Sequence, residues 1–200
     1  MIYFTADLHF GDEKIISLTQ RPFRDVKTMN EQLIENYNSF ITDNDTIYFL
    51  GDFASKITVE ETWTIMSRLK GHKILIKGNH DYSYNYNEQS EVKNFFEEIY
   101  EYIVVDYNGI LFVMMHYPLL SWFNSRKGSV MLHGHIHAKR SYNVKNQIIG
   151  LRRFDVGIDA NNYFPVSINQ IEDWLMSMPE KTEFHLSEYY MDAMTLAELF

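Results

Sequence analysis

The chain has 200 residues, 46% of them apolar and 16% aromatic, with 18 Lys and Arg against 27 Asp and Glu and a formal charge of −9. This composition suits one globular domain and excludes a disordered chain, while the acidic balance argues against tight nonspecific binding of long nucleic acid, which depends on Lys and Arg neutralising phosphates. Cysteine is absent, which excludes disulfides and thiolate ligands, so any metal site must draw on His, Asp, Glu or Asn.

Along the chain, six apolar, β-rich runs each end in residues capable of chemistry. Ile2–Thr5 leads to Asp7, and Thr46–Leu50 leads to Gly51-Asp52. Between them, Thr28-Met29-Asn30-Glu31 reads as a capping box opening a helix with Leu33, Ile34, Tyr37, Phe40 and Ile41 on one face. Thr58-Val59-Glu60-Glu61 opens a second helix, with Val59, Trp63, Met66 and Leu69 at helical spacing and Gly71 as its stop. Lys73–Lys77 leads to Gly78-Asn79-His80-Asp81. Ser90 starts a predicted helix through Phe95, Phe96 and Ile99. Ile110–Met115 leads to His116, Ser129–Leu132 to His133-Gly134-His135, and Arg153–Ile158 to Asp159. Ser167-Ile168-Asn169-Gln170 opens a last helix carrying Ile171, Trp174, Leu175 and Met178 and ending at Pro179. Leu186, Tyr190, Met194 and Ala197 fit one face of a docking helix or a frayed tail. The expectation is one domain over 1–200, with 165–200 as its C-terminal helical appendage.

Near-continuous apolar runs of this length suit strands buried on both faces, and their alternation with helices predicts a layered α/β fold. Ligands tend to bind at the carboxyl ends of such strands. No apolar run is long enough to span a membrane, and the N-terminus lacks the marks of a secretion signal, so the cytoplasm is the expected location.

Six of the eight His lie in or beside these strand ends: His9, His80, His116, His133, His135 and His137. With Asp7, Asp52 and Asn79 they form a nitrogen and oxygen donor set suited to manganese, iron, zinc or nickel. Asp7 and His9, like His135 and His137, are two apart, a spacing that in extended backbone points both side chains to one side. Gly51, Gly78 and Gly134 allow sharp turns beside them. His133 reads as structural, His72 and His185 as surface residues, and Asp155 and Asp159 as turn residues ahead of any support of the site.

Taken in order, Asp7-Leu8-His9, Gly51-Asp52, Gly78-Asn79-His80-Asp81, His116 and Gly134-His135-Ile136-His137 resemble the signature of the calcineurin-like metallophosphoesterase superfamily over about residues 2–160. Asp7–Ile16, Arg21-Pro22-Phe23 and Val156–Ala160 further resemble a small bacterial and phage branch of it. The resemblance implies a four-layer α/β/β/α sandwich of two mixed sheets. It implies one divalent ion on Asp7, His9 and His137, a second on Asn79, His116 and His135, and Asp52 bridging them. It also implies hydrolysis of a phosphomonoester or phosphodiester by a bridging hydroxide, with manganese the favoured ion. His80 would act on the phosphoryl group or the leaving oxygen, with Asp81 orienting it. Asp12 stands where close relatives often carry His. Ser55 stands where purple acid phosphatases carry a tyrosine ligand, which argues against an iron–tyrosinate centre.

Aromatic and cationic residues in Tyr82–Asn87, Tyr117–Lys127 and Asn161–Phe164 suit either stacking of a nucleotide-type substrate or loop packing. The expected partner is a small phosphorylated molecule. The competing readings are a non-catalytic scaffold of the same fold and a nuclease acting on short single strands.

Overall fold

The computed structural model describes residues 1–81 and 94–179. Strands β1 (Ile2–Thr5), β2 (Thr46–Phe49), β3 (His72–Ile76) and β4 (Glu98–Tyr100) run parallel, and β9 (Val166–Ser167) lies antiparallel to β1, giving a sheet in the order β4-β3-β2-β1-β9. A second sheet has the order β5-β6-β7-β8. In it β5 (Tyr102–Tyr107) is antiparallel to β6 (Ile110–Met115), while β7 (Val130–His133) and β8 (Arg153–Asp155) continue in parallel.

The period-two alternation of side chains explains the layers. Tyr3, Ile47, Phe49 and Leu75 face outward onto helices α2 (Val26–Phe40) and α3 (Val59–Met66), meeting Met29, Leu33, Ile34, Tyr37, Ile65 and Met66. Phe4, Tyr48, Leu50 and Ile76 face inward and meet Phe112, Met114, Val130 and Leu132 of the second sheet. Burying each such side chain stabilises the fold by roughly 1.5–3 kcal/mol. The outer face of the second sheet, through Val113 and Met131, packs on Trp122 and Leu151. There α4 (Ser141–Ile148) grips β8 by amide bonds: Asn143 Nδ2 donates to Asp155 O at 2.9 Å and Asn146 Nδ2 to Arg153 O at 2.8 Å. Helix α5 (Ile168–Met176) inserts Ile168, Ile171 and Trp174 into the inter-sheet core. None of the helices among the described residues is long and apolar enough to cross a membrane.

Several local expectations change. Helix α2 begins earlier, because the Asp25 carboxylate caps it by accepting from Thr28 N at 2.7 Å. The capping boxes at Thr58–Glu61 and Ser167–Gln170 form as expected. On α3 the buried face is Thr62, Ile65 and Met66, while Val59 and Trp63 are exposed. Ile99 lies in β4 rather than in a helix. Much of the expected helix from Ser90, together with Tyr82–Asn87, His185 and the stretch 180–200, falls outside the described residues. Helix α1 (Glu13–Leu18) and β5 are additional elements.

The two sheets meet where their ligand-bearing loops emerge. Ala6, just past β1, bridges Gly157, just past β8, and Ile158 N donates to Ala6 O at 3.1 Å.

Candidate metal centre

The loops after β1, β2, β3, β6 and β7 bring the expected donors together at the carboxyl ends of the strands. Three overlapping groups have their donor atoms within 4.8 Å of one another: Asp7, His9 and His137; His9, Asp52 and His80; and Asp52, His116 and His135. Asn79 joins the last group through Oδ1, 3.1 Å from His116 Nε2. Asp52 stands between the ends, with Oδ2 3.5 Å from His9 Nε2 and 3.4 Å from His116 Nε2.

The backbone does this differently from the extended arrangement expected. Asp7, His9, Asp52, His135 and His137 all have positive φ, between 47° and 73°. Left-handed turns, not pleated alternation, aim these side chains inward. Among the glycines, Gly51 has φ +90°, but Gly78 and Gly134 are needed for room: an added Cβ would lie 2.3 Å from Asp52 Oδ1 at Gly78 and 2.6 Å from Asp7 Oδ2 at Gly134.

Apart from His9, each buried donor is oriented by a second group. Asp7 is fully buried and accepts from His135 N at 2.9 Å. Burial pushes its carboxyl up to about 6, against the pull of His137 and His116. His137 Nδ1 donates to Asp159 Oδ2 at 2.8 Å, which leaves Nε2 for the cradle. Asp159 is in turn held by Arg21, through Nε at 2.9 Å and Nη2 at 2.8 Å. The same guanidinium donates to Asp7 O at 2.7 Å and Leu8 O at 3.0 Å, so it braces the Asp7–His9 turn from behind. Burial opposes the Asp159 charge, but bonds from His137 and Arg21 prevail and hold it at about 2. His116 Nδ1 donates to Leu50 O at 2.7 Å. Its Nε2 therefore faces two oxygens, Asp52 Oδ2 and Asn79 Oδ1. Burial works against a charge on this ring, but Asp52 and Asp7 raise it to about 9.

These features fit divalent cations. His9 is 2% exposed, and neither ring nitrogen makes a hydrogen bond among the described residues. Burial drives its pKa down to about 3, so the imidazole is neutral with a bare lone pair, the form that ligates. A buried polar group without a partner is costly, and a cation is the partner this one lacks. At His116, a dication would take the place of the proton held between the ring and its two oxygens.

Other expected residues divide. His80 lies beside the cradle, its ring 4.8 Å from that of His9 and its backbone N–H on Asp52 Oδ1 at 2.8 Å. The hydrogen bonds of Asp81, expected to orient His80, run to backbone N–H groups of Gly78, Asp52 and Phe53 at 2.7, 2.9 and 3.1 Å. Asp81 thus clamps the two loops that carry Asp52 and Asn79. His133 is structural, buried between Gly134 O and Tyr142 OH. Asp155 braces the turn, accepting from Gly157 N at 2.7 Å. Asp159 is a correction: it supports His137 rather than merely turning the chain. Trp122 is a core residue and Phe164 packs on Phe40, so neither lines a rim, whereas the Tyr117 ring sits 4.6 Å from that of His135.

The family profile described as calcineurin-like phosphoesterase matches residues 1–176. An uncharacterized protein of Methanocaldococcus jannaschii is 33% identical over 171 residues, 85% of this chain and 88% of that protein. The Gene 66 protein of Mycobacterium phage L5 is 25% identical over 207 residues, 92% of this chain and 98% of that protein. A crystal structure of a protein of unknown function from Aquifex aeolicus superposes with a TM-score of 0.69 at 26% identity, covering 86% of this chain and 98% of its own. The chain belongs to the calcineurin-like phosphoesterase family, and with it to the metal-dependent phosphoesterases.

Proposed function

We propose that the chain hydrolyses small phosphoric mono- or diesters with a pair of divalent cations, manganese foremost. Asp7, His9 and His137 would hold one cation, Asn79, His116 and His135 the other, and Asp52 would be shared. The observation that carries this reading is the overlap of the groups at Asp52, together with the unpartnered, neutral imidazole of His9. When bound, the cations supply Lewis-acid polarisation of the phosphoryl oxygens and a nucleophilic water at neutral pH.

The chain's own residues do the rest. Arg21, Asp159, Leu50 O and Asp81 keep the donors in place before substrate arrives, so little reorganisation accompanies reaction. His80, beside both His9 and Asp52, meets charge on the phosphoryl group or delivers a proton to the leaving oxygen. Tyr117 offers an aromatic face next to His135, which supports a nucleotide-type leaving group.

The test is turnover of p-nitrophenyl phosphate and bis(p-nitrophenyl) phosphate by chelator-treated protein, before and after manganese is added. Activity that returns only with the metal is expected. Full activity in a folded, metal-stripped sample overturns the proposal.

A further inference from the structure

The loops after β1 and β2 continue side by side past the cradle. Asp7 N–H donates to Gly51 O, His9 N–H to Asp52 O and Phe10 N–H to Phe53 O, each at 3.0 Å, and Ser55 N–H returns to Phe10 O at 2.9 Å. The next rung is made by side chains: Lys56 Nζ donates to Asp12 Oδ1 at 2.6 Å. Asp12 is the anchored partner. Its N–H reaches His9 O at 3.1 Å, its carboxylate accepts from Lys14 N at 3.0 Å, and its side chain is only 8% exposed. Lys56 is the open partner, with its side chain 50% exposed.

The lysine backbone is left-handed, with φ 62°, a state that disfavours any residue with a Cβ. Its neighbour shows what imposes it. Gly11 has φ +85°, and a Cβ there would lie 1.8 Å from Ile57 Cγ2. Ile57 fills the space left by the glycine and fixes the turn that carries Lys56. An ammonium has three donors. Asp12 engages one, and Lys56 has no other partner among the described residues.

We propose that Lys56 is the substrate-anchoring cation of this site, with Asp12 as its positioning residue, and that the substrate is a phosphoric ester carrying a second anionic group. The Asp12 N–H bond to His9 O closes a turn that keeps their Cα atoms within about 7 Å of each other, which sets the Lys56–Asp12 pair beside the cradle. This rests on the phosphoesterase reading and adds a distal recognition point to it. A point charge on a flexible stem grips an anion without demanding its shape, so phosphate and carboxylate both qualify. The buried Asp12 carboxylate keeps that stem from swinging into solvent while leaving donors free.

Alkane bisphosphonates test this, because their C–P bonds survive in the site. Their affinity for the manganese-loaded protein is measured by calorimetry for linkers from one to about eight carbons, against methylphosphonate. In the wild type an intermediate linker should bind about tenfold tighter than methylphosphonate. Lys56→Gln should erase that advantage, Lys56→Arg should keep it, and Asp12→Asn should flatten the dependence on linker length, which a merely structural role would not do. No advantage in the wild type, or an undiminished one in a folded Lys56→Gln protein, overturns the proposal. Hydrolysis of bis(p-nitrophenyl) phosphate is measured alongside. Its absence would remove the phosphoesterase reading and leave the binding comparison legible.

Discussion

Around Asp7, His9 and His137 every side chain is buried or backed by a second group, whereas at the other end only His116 is. Arg21 and Asp159 stand behind the first trio. Asn79 is exposed and His135 partly so, each reaching toward solvent. One end of the cradle is therefore held in place by the chain itself, and the other is less constrained. The difference predicts ordered loading, with the braced end filling first and the open end exchanging its ion more readily.

The harshest way to break this comparison is to remove the group both ends share. Asp52→Asn should lower kcat/KM by roughly a thousandfold, about 4 kcal/mol, and reduce the bound manganese measured by elemental analysis. Two bound ions in that variant would show the carboxylate is not shared. Asp159→Asn strikes only the braced end. It should weaken the first binding step by about 10- to 100-fold in a calorimetric titration and leave the second nearly untouched. Equal weakening of both steps would erase the asymmetry. His135→Asn should act in reverse, losing about tenfold in the second step with the first intact.

A gentler probe is acid. Asp159 is held at about 2, below the ordinary carboxylate value of 3.8. Its folded pKa is depressed, so the stability it contributes is present above about pH 4 and is lost as pH falls toward 2, about 2 kcal/mol in all. The thermal midpoint of metal-free protein should drop through that window, and Asp159→Asn should flatten the drop. An unchanged acid limb in the variant would mean that the Arg21–Asp159–His137 chain adds nothing to the fold.

The strand ends were legible in the sequence because apolar runs stop at residues that have no reason to follow a strand except chemistry. Asp7, Asp52, His116 and His135 could be named from that punctuation, and the family resemblance organised them. The β5–β6 hairpin was equally readable, since Asn108-Gly109, both with positive φ, joins two alternating runs. Its second strand leads to His116, whereas its first strand and its turn carry no donor. Arg21 and Asp159 are a different case. They lie 138 positions apart, and nothing local distinguishes a buried, doubly bonded arginine from a surface one. The same limit hid Lys56, whose importance lies in a backbone angle and a neighbour's missing side chain. The two-residue spacing of Asp7 and His9 was visible, but its meaning depends on a left-handed turn that periodicity does not report.

That shared handedness constrains how the centre can change over evolutionary time. Five donor positions sit where glycine rests without penalty, asparagine and aspartate settle tolerably, and branched side chains resist by about 1–2 kcal/mol each. A lineage abandoning the reaction can let these loops drift to asparagine or glycine and stay folded. Replacement by valine or isoleucine would disturb the turns themselves. Descendants that have lost the chemistry should therefore keep a recognisable fossil of it, an Asn- and Gly-rich rim around an empty cradle.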